Sequence, residues 1–135
     1  VYEATKDYPK LKPSKIEFKL PQPNYTINTL VHLEEHYEKG YEFALIMGED
    51  NLNSFHKWKN YETILESHCI YVYPRISSGK VEHQFKDNAK IHHVDAPIME
   101  VSSTFIRNNH SKGKNIKPLL SDAVWKYMDE MNFYR

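Results

Sequence analysis

A single cysteine, Cys69, stands in a chain of 135 residues, which excludes an internal disulfide and any cysteine-rich zinc cluster. Charge of one sign is not in excess either: eighteen basic residues balance eighteen acidic ones. That balance gives no general electrostatic case for a nucleic-acid or membrane partner, so any anion site must be local. No apolar stretch approaches membrane-spanning length and no signal sequence is visible. A cytoplasmic location suits these features and the lone thiol. Internal repeats, low-complexity tracts and a second-domain boundary are missing as well, so the expectation is one domain over residues 1–135. An initiator methionine is also absent. The chain opens VYEATKDYPK, which reads as a helix entered in mid-stride. What is present is 40% hydrophobic and 27% charged residues, a globular composition in a length sufficient for a core.

The most informative stretch is 43–58, FALIMGEDNLNSFHKW. Its apolar run Phe43–Met47, broken by Gly48, reads as a fully buried strand of a parallel sheet. Open α/β sheets bind ligands just past the carboxyl ends of their strands, so Gly48 and Asp50 are expected to face one. Gly48 permits close approach, and Asp50 offers two acceptor oxygens suited to a ribose diol. The same residues equally suit a tight turn followed by an acidic N-cap.

Around this stretch the chain alternates. Val1–Asp7 is expected to end a helix before Pro9. Ile16, Phe18 and Leu20 alternate with charges, the period of a half-exposed strand. Thr26 is expected to cap a helix with Ile27, Leu30 and Val31 on its apolar stripe, and Gly40 fits just past its end. After a loop at Gly48–His56, a helix is expected over Lys57–Glu66. Cys69–Tyr73 is a second buried strand, with Cys69 an inert core thiol. Ser77-Ser78-Gly79 reads as a turn, Val81–Lys90 as a short helix or loop, and Ile91–Val94 as a last strand. A helix from near Ser103 to Gly113 follows. A final helix is capped by Ser121 or Asp122, with Val124, Trp125, Met128 and Met131 inward. Strands alternating with helices imply an α/β fold with right-handed crossovers and a parallel sheet.

Three further stretches carry candidate chemistry. In Val101–Arg107 (VSSTFIR), Ser102, Ser103 and Thr104 start a helix and Arg107 lies one turn in. Free N–H groups, the helix dipole and a guanidinium together suit phosphate, although such hydroxyl clusters also cap many ordinary helices. Tyr25 and Thr26 stand at another helix start that suits a carboxylate or phosphate, or a plain cap with a packed tyrosine. The indole of Trp58 suits stacking on a planar heterocycle, or a place in the core. His56, Lys57 and Arg75 suit phosphate or plain solvent exposure. The eight histidines suggest no metal site. His32 and His36 are spaced i, i+4 without an evident third ligand, the pattern of a solvated helix face.

Taken together these stretches resemble the bacterial nicotinate-nucleotide adenylyltransferases over essentially the whole chain. Residues 24–30, NYTINTL, resemble that family's SYT-x-DTL segment, and 47–52, MGEDNL, its G-x-D-x-L turn. Residues 55–58, FHKW, fall where the family has an aromatic-bearing loop, and Val101–Arg107 resembles its ISST-x-IR signature.

The resemblance implies a Rossmann-like nucleotidyltransferase fold and adenylyl transfer from ATP to nicotinate mononucleotide, with Mg²⁺ carried in on ATP. It implies that Gly48 and Asp50 hold the adenosine ribose and that Ser103, Thr104 and Arg107 bind ATP phosphates, with Ser102 nearby. Arg107 would act catalytically on charge gathering on the departing pyrophosphate. Tyr25 and Thr26 would line the nicotinate pocket and Trp58 would stack on the pyridine. The partners implied are these two nucleotides, and a homo-oligomer is compatible.

Alternatives are a related nucleotidyltransferase with nicotinamide mononucleotide or phosphopantetheine as acceptor, or a non-catalytic nucleotide-binding fragment. Two departures stand out. Asn28 replaces the family's usual aspartate, and nothing in the chain matches the family's glycine-rich first strand and H-x-G-H motif. The expectation is therefore about fifty further N-terminal residues in the natural protein, by domain size. Without them, the first strand of the sheet would be lacking and the chain inactive, with its folding compromised.

Overall fold

The computed structural model describes residues 1–37, 40–75, 85 and 87–134. In chain order the elements are α1 (Tyr2–Thr5), α2 (Thr26–His36), β1 (Ala44–Gly48), α3 (Glu49–Ser54), α4 (Tyr61–Ser67), β2 (Cys69–Tyr73), β3 (Ile91–His93), α5 (Ser103–His110) and α6 (Asp122–Glu130). Short 3₁₀ turns lie at Ile16–Lys19, Phe55–Lys57 and Lys117–Leu119. The expected turn at 77–79 and residues 81–84 and 86 of the expected 81–90 segment lie outside the described residues. No helix among the described residues is long and apolar enough to cross a membrane.

The chain forms two compact units, one of Val1–Lys15 with Glu100–Arg135, the other of Ile16–Met99. The second unit holds a three-stranded sheet in the order β1-β2-β3, parallel throughout. Its register sets Gly48 beside Tyr73 and Ile70 beside Ile91. Parallel neighbours need a crossover, which α3 and α4 supply between β1 and β2. The core gathers Ile27 and Leu30 of α2, Met47, Leu52, Phe55, Ile64, Ile70, Val72 and Ile91, with Phe43, Leu45, Trp58 and Tyr61 packed against it. The α/β parallel architecture is the one expected.

Several local expectations are corrected. Strand β1 is not buried on both faces: Met47 is buried, but Ile46 is 78% exposed and Ala44 is exposed too. An unbroken apolar run cannot reveal which faces are covered. Strand β2 likewise buries Ile70 and Val72 while Tyr71 and Tyr73 stay exposed, and Cys69 is only half-buried. Residues 16–19 form a 3₁₀ turn, not a strand, and Phe18 is 86% exposed. Prolines at 13, 21 and 23 leave that segment too short to find a sheet partner. The expected loop at Gly48–His56 is helical from Glu49 onward, Gly48 being the last residue of β1. The helix expected from Lys57 begins at Tyr61, because Asn60 adopts the left-handed conformation at φ 52° and interrupts it. On α2, Val31 is exposed while Ile27 and Leu30 are buried, and Met131 beyond α6 is exposed as well. Thr26 is the first helical residue; Tyr25, extended at φ −97°, takes the cap position without a side-chain bond.

The first unit brings α1 and α6 together and buries Ile116, Met128 and His110. Ser121 caps α6, its Oγ accepting from the Val124 N–H at 3.4 Å, as expected. Past α5, Gly113 takes φ +71° where its N–H donates to the His110 carbonyl at 2.9 Å.

Candidate functional site

At the carboxyl end of β1, Gly48 is buried and its φ of −77° is ordinary extended backbone. Its glycine character answers to crowding instead. A Cβ there would collide with Asp50 Oδ1 and lie 3.1 Å from Arg75 Cδ and 3.2 Å from Tyr73 Cζ. The neighbours that close over this glycine are therefore side chains. Asp50 stands in the first turn of α3, half exposed, with Oδ1 4.0 Å from Arg75 Nε. At that separation the guanidinium partly balances the carboxylate without tying up both its oxygens. Gly48, Asp50, Tyr73 and Arg75 thus meet at the strand tips, where α/β sheets receive ligands.

In the same unit, Tyr25, Thr26 and Trp58 line one cavity of about 300 Å³ together with Asn24, Lys57 and Lys59. Three residues singled out separately in the sequence are brought together. The Phe55 ring, fully buried, holds Trp58 edge-on at 5.4 Å between centroids, so the indole is backed by core on one side. Lys59 Nζ stands 4.5 Å from the centre of the Tyr25 ring, a cation–π contact across the cavity. Lys57 and Lys59 line this space beside the first turn of α2, favouring an anionic ligand group. Lys59 and Tyr73 escaped the sequence reading. Lys59 carried a signal only in its place beside Trp58, and Tyr73 only in its strand register with Gly48.

The Ser-Thr stretch belongs to the first unit. Ser102 is the N-cap of α5, its Oγ accepting from the Phe105 N–H at 3.1 Å. This settles one of the helix's open donors and leaves the Ser103 and Thr104 N–H groups at its start. Both residues are exposed. Arg107 donates from a terminal nitrogen to Thr104 Oγ1 at 3.3 Å and lies 5.8 Å from the Tyr134 ring. A hydroxyl and a guanidinium therefore share one face, an i, i+3 pair directed to the same side as the helix start.

His56 and Lys57 are exposed, and His68 is buried with Nδ1 3.2 Å from the Phe43 carbonyl.

A parallel three-stranded sheet flanked by helices, with its close-packed glycine and acid–arginine pair at the strand tips, is an α/β fold consistent with a nucleotidyltransferase. No family model matches the chain. Individual proteins do. A probable nicotinate-nucleotide adenylyltransferase of Flavobacterium psychrophilum is 64% identical over 132 residues, covering 98% of this chain and 68% of that protein. One of Christiangramia forsetii is 64% identical over 135 residues, covering 100% of this chain and 69% of that protein. One of Cytophaga hutchinsonii is 40% identical over 134 residues, covering 99% and 68%. The chain belongs to the nicotinate-nucleotide adenylyltransferase family.

Proposed function

We infer that the protein transfers the adenylyl group of ATP to nicotinate mononucleotide, giving nicotinate adenine dinucleotide and pyrophosphate, a step of NAD biosynthesis. A phosphate oxygen of the mononucleotide attacks the α-phosphorus of ATP in line. The bond from that phosphorus to the β-phosphate oxygen breaks, and the electron pair leaves with pyrophosphate. Such a reaction asks the protein for positioning and charge stabilisation more than for covalent chemistry.

The observation that carries the acceptor assignment is the single cavity shared by Tyr25, Thr26 and Trp58. Its indole suits a flat ring, and Lys57 and Lys59 suit an acidic one. Gly48 and Asp50 would take the adenosine ribose, with Arg75 limiting the negative charge beside it. Ser103, Thr104 and Arg107 would meet ATP phosphates, and Ser102 would hold their helix start in shape. Mg²⁺ would enter with ATP and neutralise its phosphates. The residues assigned to those phosphates are N–H donors, hydroxyls and a guanidinium, which suits an ion held mainly by the nucleotide.

A coupled pyrophosphate assay of the intact enzyme tests this reading. Nicotinate mononucleotide is expected to be used at least about tenfold more efficiently than nicotinamide mononucleotide, because the amide forfeits the charge-assisted contacts that Lys57 and Lys59 offer a carboxylate. Equal efficiency with the two acceptors would remove the assignment.

A further inference from the structure

We propose that His32, Glu35 and His36 form a surface site for a divalent transition metal on the last turns of α2. Each of the three offers a ligand atom, and these atoms lie within 4.8 Å of one another. The spacing i, i+3, i+4 puts them on one helix face, so the backbone itself holds the donors together. Two imidazoles and a carboxylate form the donor set that zinc, nickel and copper accept, whereas Mg²⁺ and Ca²⁺ favour all-oxygen sets.

Two observations go beyond the spacing. His36 Nδ1 lies 2.9 Å from the His32 backbone carbonyl. In the neutral ring Nδ1 must then donate, which leaves the lone pair on Nε2. This is the backbone hydrogen bond that commonly fixes the tautomer and orientation of a metal-binding histidine. The His32 and His36 rings also stack, with centroids 3.8 Å apart and planes 25° from parallel. That contact keeps both rings on the same side of the helix, and with His36 held by its backbone bond a turn of the His32 ring alone about χ2, a soft torsion, would bring its lone pair toward Nε2 of His36. The site lies at the carbonyl end of α2, where the helix dipole favours a cation.

Thr26 lies six to ten residues away along the same helix, about 9–15 Å. The metal would therefore sit well clear of the aromatic cavity and take no part in adenylyl transfer. Its effect would be to clamp two turns of α2 and stabilise the folded protein by linkage.

The test is Zn²⁺ titration of the purified protein against a chromophoric chelator, alongside thermal unfolding. One equivalent should bind saturably and raise the melting temperature. H32Q and H36Q should each weaken binding at least about tenfold. The double variant H32Q/H36Q should lose both binding and the thermal shift, with its far-UV circular dichroism unchanged because neither side chain is buried. H92Q/H93Q should bind like the parent. An unchanged affinity in H32Q/H36Q, or loss of binding in H92Q/H93Q alone, would overturn the proposal.

Discussion

Gly48 needs no unusual backbone, since a φ of −77° is open to any residue. What it cannot spare is the volume of a methyl group, because Asp50, Arg75 and Tyr73 already surround the place. G48A should therefore displace the Asp50 carboxylate. We expect a KM for ATP raised about tenfold and a stability loss of about 1–3 kcal/mol, the usual cost of overpacking. Steady-state kinetics and urea unfolding measure the two separately, and a variant with parental KM would detach Asp50 from the ribose. Arg107 is a different case. It is half-buried, held by Thr104 and the Tyr134 ring. If it meets charge that develops only as pyrophosphate departs, R107A in the intact enzyme should lose about a hundredfold in kcat. The KM for the mononucleotide should move little. Parental turnover in R107A would refute its catalytic role.

Elements, unlike single contacts, were legible where the pattern was local. Strand β2 runs over the five residues expected, Cys69–Tyr73, because β-branched and aromatic residues bounded by Pro74 leave few alternatives. The capping serines Ser102 and Ser121 were likewise visible, since a cap needs only its own next three residues. Ile16, Phe18 and Leu20 misled because alternation over five residues shows polarity without showing a pairing partner. The helical course of 49–57 was missed because strand-end position suggested a loop, while Leu52 and Phe55 were in fact spaced to enter the core. Trp58 and Tyr25 are 33 positions apart, and only the fold sets them in one cavity. The two faces of the sheet were illegible for the same reason, and they give a direct test. In this chain I46T should leave stability within about 0.5 kcal/mol, as for other exposed positions. I70A, at a fully buried position, should cost about 2–5 kcal/mol. Chemical unfolding midpoints of the two variants measure the contrast, and equal losses would show that Ile46 is covered in solution.

At the scale of the whole molecule the charges sum to zero, with eighteen of each sign and an isoelectric point near 7.2. Attraction for nucleotides must then come from a few placed cations, not from a broad field. Lys57 and Lys59 line the aromatic cavity, Arg75 stands beside Asp50, and Arg107 shares a helix face with Thr104. Each acts over a few ångströms, inside the screening length of about 8 Å at physiological ionic strength. A protein that gathers polyanions through six to ten phosphate contacts loses about 10³–10⁵ in affinity between 50 and 200 mM salt. A small ligand met by a few cations, its phosphates already neutralised in part by Mg²⁺, should respond far less. We expect the KM for ATP in the intact enzyme to rise by less than about tenfold over that range at fixed free Mg²⁺, with the mononucleotide behaving alike. Duplex DNA should show no saturable binding at 150 mM salt by fluorescence anisotropy. A thousandfold salt response, or saturable DNA binding, would mean that the surface carries an extended basic patch and that charge is distributed on a longer scale than these few residues.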